Sequence, residues 1–107
     1  VVFQPHLFSR TRELGTEMGR ALALADGCVV LDIYPAREDP IPGVTSALIT
    51  DAATAHGATV HPAPQDGKDG VPEAVAGMAR PGDLVLTMGA GDVTELGPKI
   101  LDRLARP

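Results

Sequence analysis

Residues 28–34 read CVVLDIY, a run rich in β-branched residues. Such a run forms a strand, and a continuous apolar run is typical of a strand that is buried on both faces of a parallel sheet. Just before it, Asp26-Gly27 ends a helical pattern, since Gly adopts the left-handed conformation that terminates helices. The run therefore predicts a central strand of an α/β protein.

Strand and helix patterns alternate along the whole chain. Further strands are predicted at residues 1–3, 58–61 and 84–88, the second near an edge of the sheet and the third buried. Helices are predicted at residues 12–25, from a cap at Thr45 or Ser46 to Gly57, from Pro72 to the stop at residues 81–83, and after the turn at 89–92. This order predicts a three-layer α/β fold, a mostly parallel sheet with helices on both faces.

Each predicted helix has an apolar stripe that is expected to face the sheet. The stripes consist of Leu14, Met18, Ala21, Leu22 and Ala25; of Leu48, Ile49, Ala52 and Ala53; of Val71, Val75, Met78 and Ala79; and of Leu96, Ile100, Leu101 and Leu104.

The composition excludes several classes of protein. The chain has 107 residues, which suits one domain, and 44% of them are hydrophobic but only 3% aromatic. Its formal net charge of −5 argues against an electrostatic nucleic-acid binder. No apolar stretch reaches the ~20 residues that span a bilayer. We therefore expect no nucleic acid and no membrane among the partners.

Two further features concern the setting of the chain. Cys28 is the only cysteine and lies in an apolar run, which predicts a buried thiol and fits a reducing cytoplasm. The chain starts without Met and inside a strand-like run, so we expect it to be a piece of a longer protein.

Polar side chains collect where three predicted strands end. Residues 4–13 supply His6, Ser9, Arg10, Thr11, Arg12 and Glu13; residues 34–46 supply Tyr34, Arg37, Glu38 and Asp39; and residues 89–94 supply Gly89, Ala90, Gly91 and Asp92. The carboxyl ends of parallel strands face the ligand crevice of an open α/β sheet. Because Arg binds carboxylates and phosphates bidentately, we expect an anionic ligand there.

Several of these residues also have a purely structural interpretation. The His6 ring would then tie its loop to backbone carbonyls, and Ser9 or Thr11 would cap a helix. Arg37 and Glu38 would form a surface ion pair, and Asp92 would cap the last helix. The arginines near the start of the first helix oppose its dipole, which favours a ligand role for at least one of them.

Several motifs of self-sufficient active sites are absent from the sequence. It has no G-x-x-x-x-G-K-[ST] loop, no G-x-S-x-G elbow and no Cys/His spacing typical of a metal site. The Gly89–Thr94 turn matches only two of the three glycines of a dinucleotide fingerprint. The sequence therefore indicates no catalytic centre that works alone.

Three blocks together resemble the carboxyl-terminal domain of the Mur ligase family, and within that family the ligases that add L-alanine. The blocks are FQPHLFSRT (residues 3–11), DIYPAREDPIPGVTS (32–46) and PGDLVLTMGAGDV (81–93). The resemblance implies a Rossmann-like fold for residues 1–107, as one domain of a three-domain bacterial cytoplasmic enzyme. The other two domains would bind a UDP-sugar and, with a P-loop, ATP and Mg²⁺.

The resemblance implies a reaction as well. ATP would phosphorylate the carboxylate of UDP-N-acetylmuramate to an acyl phosphate, and the amine of L-alanine would attack it, in the synthesis of peptidoglycan precursors. The domain would close over the ATPase domain and be inactive alone. The alternative is a stand-alone Rossmann-like module that binds a small anionic ligand through the same loops.

The resemblance also assigns sides to the loop residues. His6, Phe8, Arg10 and Glu13 would face the nucleotide, with Arg10 and His6 supporting catalysis, and Tyr34, Arg37, Gly89, Ala90, Gly91 and Asp92 would face the amino acid and the acyl centre. No residue of this chain is implied as a metal ligand. The chain departs from the family at Phe8, where Tyr is common, at Glu13, where Asp is common, and at Arg37, where Gly often stands.

Overall fold

The computed structural model describes residues 1–106, in which four parallel strands form one sheet. The strands are β1 (Val2–Gln4), β2 (Cys28–Val30), β3 (Val60–His61) and β4 (Thr87–Gly89), in the spatial order β3-β2-β1-β4. The helices are α1 (Phe8–Leu22), α2 (Ala47–Ala55), α3 (Val71–Met78) and α4 (Leu96–Leu104). Within these described residues no helix is long and apolar enough to cross a membrane.

The helices cover both faces of the sheet. Successive residues of a strand point to opposite faces, so β1 and β2 contribute to two apolar clusters. One cluster joins the sheet to α3 and α4 and contains Val2, Val29, Leu31, Val71, Val75, Val93, Leu96 and Ile100. The other joins it to α1 and α2 and contains Leu22, Cys28, Val30, Ile49 and Ala53. The predicted three-layer α/β fold is confirmed.

Helices α1 and α2 contact each other at the backbone. A Cβ atom on Gly19 would lie 2.6 Å from the Ala53 nitrogen and would also overlap the Ile49 carbonyl oxygen. The buried face of α1 is accordingly Thr11, Gly15, Gly19 and Leu22. The predicted stripe is wrong at Leu14 and Ala21, which are exposed, because glycines bring α2 closer to α1 than larger side chains would allow.

The strand at residues 84–88 is not buried, which corrects the prediction. β4 pairs only with β1 and forms an edge of the sheet, where Leu84 is 80% exposed and Leu86 and Met88 also face outward. β3 forms the opposite edge, as predicted. In α4 Leu96 and Ile100 are buried as predicted, whereas Leu101 and Leu104 are exposed, so the buried stripe of that helix is narrower than the sequence indicated.

Cys28 lies in β2 with a fully buried side chain. Burial raises the pKa of its thiol above the ordinary value, because the charged thiolate is poorly solvated there. The thiol is therefore a small apolar packing group, and the prediction of a buried cysteine is confirmed.

Candidate functional site

The parallel register brings the three polar loops to one edge of the sheet. Gln4, at the end of β1, pairs with Gly89 at the end of β4. His6 forms an isolated bridge with Tyr34, and the Tyr34 amide donates to the Pro5 carbonyl at 2.8 Å. Residues 4–13, 34–46 and 89–94 therefore emerge side by side. We call this edge of the sheet, with its three loops, the rim.

A shallow cavity of about 310 Å³ opens on the rim beside His6 and Arg10. Its other lining residues are Phe3, Gln4, Met18, Gly89 and Ala90. Arg10 lies in the first turn of α1, and its Nη1 atom is 3.4 Å from Nδ1 of His6. The guanidinium is exposed at the mouth of the cavity, where it can bind a carboxylate or a phosphate.

Tyr34 lies between the first and third loops. Its ring centroid is 6.1 Å from that of His6. On its other side it packs against Gly91, where a Cβ atom would lie 2.8 Å from the ring. A Cβ atom on Gly89 would overlap the Gln4 carbonyl oxygen. Both glycines are therefore required by packing within the chain, whatever ligand the loop approaches.

Glu38 caps α1 from the second loop. Its Oε1 atom accepts hydrogen bonds from the backbone amides of Phe8 at 2.5 Å and Ser9 at 3.1 Å, and Oε2 accepts one from the Ser9 hydroxyl. The Ser9 hydroxyl and these amides, with Arg12 nearby, hold the pKa of Glu38 below its ordinary value. This cap explains why α1 begins at Phe8, four residues before the predicted start.

Two structural interpretations from the sequence are wrong at this cap. Glu38 does not pair with Arg37, because the start of α1 takes up its carboxylate. Neither Ser9 nor Thr11 is the N-cap residue. That residue is Leu7, whose own side chain makes no hydrogen bond to the helix. Leu7 adopts a φ of +71°, rare for a residue other than Gly, and three hydrogen bonds fix it there: its amide to Tyr34, and its carbonyl from the Thr11 amide and hydroxyl.

Lys68 is a rim residue that the sequence did not indicate. It lies in a 3₁₀ turn, Gly67–Gly70, within the segment predicted to be an exposed turn. Its ammonium group donates to Asp92 Oδ1 and is 5.8 Å from the centroid of the Tyr34 ring. The hydrogen bond from Lys68 lowers the pKa of Asp92. The Asp92 side chain does not cap the following turn, so that interpretation is wrong.

The signal that could have found Lys68 is topological. The segment after β3 also leaves the carboxyl end of a parallel strand, as the three predicted loops do, so it reaches the same edge. Its prolines and glycines indicated only a turn.

The side chains of the remaining predicted residues take no part in these hydrogen bonds. Phe8 contributes its backbone amide, and its side chain is half-buried. Glu13 and Arg37 are exposed and make no side-chain hydrogen bond within residues 1–106. In the same part of the chain no three His, Cys, Asp or Glu side chains are grouped so that they could hold a metal ion.

Comparison with known proteins identifies the family. Residues 1–91, which include most of the rim, match the family described as Mur ligase, glutamate ligase domain. The chain belongs to the Mur ligase family.

Highly similar relatives of this Mur ligase domain occur in Streptomyces. Proteins named UDP-N-acetylmuramate–L-alanine ligase share 76% identity over 106 residues in Streptomyces avermitilis and 77% over 105 residues in Streptomyces griseus. A third, from Streptomyces coelicolor, is 73% identical over 106 residues. The matches cover 98–99% of this chain but 22% of each relative. The chain therefore spans about a fifth of the length of the curated relatives it matches.

One arginine on the rim of this Mur ligase domain faces the cavity. Two of its carboxylates are already engaged within the chain, Glu38 by the start of α1 and Asp92 by Lys68. The guanidinium of Arg10 is left to face the cavity. The cavity therefore has one exposed cationic group, although the whole chain has a net charge of −5.

Proposed function

We propose that this chain is the carboxyl-terminal domain of an ATP-dependent, ADP-forming ligase that joins L-alanine to UDP-N-acetylmuramate. The observation that carries the proposal is the identity of 73–77%, over almost the whole chain, to relatives that bear this ligase name. The exposed Arg10 guanidinium beside the rim cavity supports it. The product would be a peptidoglycan precursor, made in the bacterial cytoplasm.

The proposed reaction has two steps. ATP transfers its γ-phosphoryl group to the lactyl carboxylate of UDP-N-acetylmuramate, which gives an acyl phosphate and ADP. The amine of L-alanine then attacks the acyl carbon, loses a proton, and phosphate leaves from the tetrahedral intermediate. Since this chain has no P-loop motif, we assign most of the binding of ATP and Mg²⁺ to the other domains of the enzyme.

In this proposal the rim contributes electrostatic stabilisation and alignment. Arg10, with His6 beside it, faces the nucleotide and stabilises the charge on the transferred phosphoryl group. Phe8, through its ring, and Glu13 belong to the same nucleotide-facing block.

The other half of the rim serves the amino acid. Tyr34, Arg37 and the Gly89–Asp92 loop face L-alanine and the acyl centre. Closure of the domain over the ATPase domain aligns the amine with the acyl phosphate and excludes water, which would otherwise hydrolyse that intermediate.

Substrate-dependent ADP release by the full-length protein tests this proposal. The enzyme is incubated with ATP, Mg²⁺, UDP-N-acetylmuramate and L-alanine, and each organic substrate is omitted in turn. We expect ADP to accumulate only in the complete mixture, with a product whose mass equals that of the two substrates less one water. Glycine and L-serine serve as comparison amino acids. A complete mixture that yields no ADP, or a faster reaction with another amino acid, contradicts the assignment.

One observation favours a second candidate, a stand-alone module for a small anion. A cavity of about 310 Å³ lies beside His6 and Arg10, whose exposed guanidinium can bind an anion. That candidate predicts micromolar nucleotide binding by residues 1–107 alone. Isothermal titration calorimetry with ADP and ATP distinguishes the two, because the ligase proposal assigns most nucleotide contacts to other domains.

A further inference from the structure

We propose that Lys68 is a positioning residue of the rim, which acts through Asp92 to hold the Gly89–Asp92 loop in the place where it serves the acyl centre. The part of this proposal that concerns catalysis rests on the proposed ligase function. Lys68 lies outside the three blocks that carry the family resemblance, so it adds a residue that they do not contain.

Lys68 connects the segment after β3 to two of the rim loops. Its ammonium group contacts the Asp92 carboxylate, 24 residues further along the chain, and lies near the face of the Tyr34 ring. The Lys68 side chain is 28% exposed and that of Asp92 55%, so the lysine stem is packed while the pair faces the rim. The position of Asp92 is therefore defined by a group outside its own loop.

A buried side-chain oxygen of β1 lies next to the Gly89–Asp92 loop and makes no hydrogen bond with it. Gly89 and Gly91 have φ angles of +116° and +68°. Beneath Gly91, the side-chain oxygen Oε1 of Gln4 is buried and has no hydrogen-bond partner within residues 1–106. A Cβ atom on Gly91 would lie 3.4 Å from that oxygen. The Gln4 side-chain oxygen therefore gives the loop no hydrogen bond that would hold it in place.

Two contacts hold the loop down at its two ends. At the first end the Ala90 amide donates to the Gln4 carbonyl at 3.0 Å. At the second end the ammonium group of Lys68 donates a hydrogen bond to the Asp92 carboxylate. Lys68 also neutralises the Asp92 carboxylate, which would otherwise repel an anionic acyl phosphate. Both effects of Lys68 pass through Asp92, and this distinguishes a positioning role from direct contact with the ligand.

A double-mutant cycle in the full-length enzyme tests the proposal. The variants are K68M, D92N, K68M/D92N and the conservative K68R. We expect each of K68M and D92N to lower kcat by roughly tenfold to a hundredfold, since small misplacements of reacting groups have effects of this size. The double variant is expected to be no slower than the slower single variant, and K68R to recover most of the activity.

The Glu73–Arg103 pair provides a matched control. It is also an exposed ion pair between two segments, but it joins α3 to α4, and neither partner belongs to the three rim loops. E73Q and R103M are expected to leave kcat within about twofold of the wild type, because exposed ion pairs contribute little to stability.

Hydrogen exchange measured on the same full-length proteins gives a readout that does not depend on catalysis. The peptide that contains residues 89–92 is expected to exchange faster in K68M and in D92N than in the wild type, and to be unchanged in E73Q. Unaltered exchange in K68M overturns the proposal even if the wild type shows no ligase activity. Losses that multiply in the double variant also overturn it, since Lys68 would then act without Asp92. If the wild type has no ligase activity but K68M exchanges faster than it, the contact between Lys68 and Asp92 is supported and only the ligase function is refuted.

Discussion

The carboxylate of Glu38 accepts a hydrogen bond from the backbone amide of Phe8 at 2.5 Å, across thirty residues of sequence. This hydrogen bond connects the loop after β2 to the first turn of α1. Since Arg10 lies in that turn and Tyr34 begins that loop, the cap fixes the two halves of the rim relative to each other.

Removing the cap should destabilise the domain. E38A leaves the amides of Phe8 and Ser9 without their acceptor, and unsatisfied helix-start amides weaken a helix. We expect a lower urea midpoint for E38A and a smaller decrease for E38Q, which keeps one acceptor oxygen. D39A changes the exposed neighbouring carboxylate and is expected to leave the midpoint unchanged. Equal midpoints for E38A and D39A would show that the cap has no energetic role.

The same carboxylate should make stability depend on pH. The pKa of Glu38 is lower in the folded protein than in the unfolded chain, because hydrogen bonds favour the charged form. Its contribution is therefore complete above the unfolded pKa of about 4.3 and is lost as the pH falls through the lower folded value. We expect the difference in free energy of unfolding between wild type and E38Q to be constant near neutral pH and to shrink in acid. A difference that grows on acidification contradicts this.

Gly19 should tolerate no side chain, whereas Gly77 should. A Cβ atom at Gly19 meets the backbone of α2, and its insertion is expected to lower the free energy of unfolding of G19A by about 1–3 kcal/mol. Gly77 lies in α3 with open space around it, so G77A is expected to raise that free energy by up to about 1 kcal/mol through helix propensity. Urea denaturation of both variants checks this, and similar effects in both would refute the backbone contact between α1 and α2.

The order of strands and helices could be predicted because it rests on local periodicity. What the sequence did not show is which apolar runs end up at an edge. The LVLTM run at residues 84–88 has the composition of a central strand, yet β4 has a neighbour on one side only. Strand order depends on pairings between distant segments, and residue types alone do not encode them locally. The exposure of Leu84 is the result.

The site was predictable to the extent that topology defines it. Parallel strands place their carboxyl-end loops together, and this brought His6, Tyr34 and Gly89 to one rim. The partners of Glu38 and Asp92 were not predictable in this way. Each lies 24 to 30 residues away in the sequence, and local capping patterns pointed to nearer groups instead.

The measurement that tests the account most directly is the effect of R10A on kcat/KM of the full-length ligase, with R20A as the control. Arg20 is an exposed cation in the last turn of the same helix, away from the rim. Because the proposed function has Arg10 stabilise charge on the transferred phosphoryl group, we expect R10A to raise the barrier by about 2–4 kcal/mol, and R20A to leave it unchanged. If R10A is as fast as R20A, the rim does not bind the reacting anion, and the function assigned to this edge of the sheet is wrong.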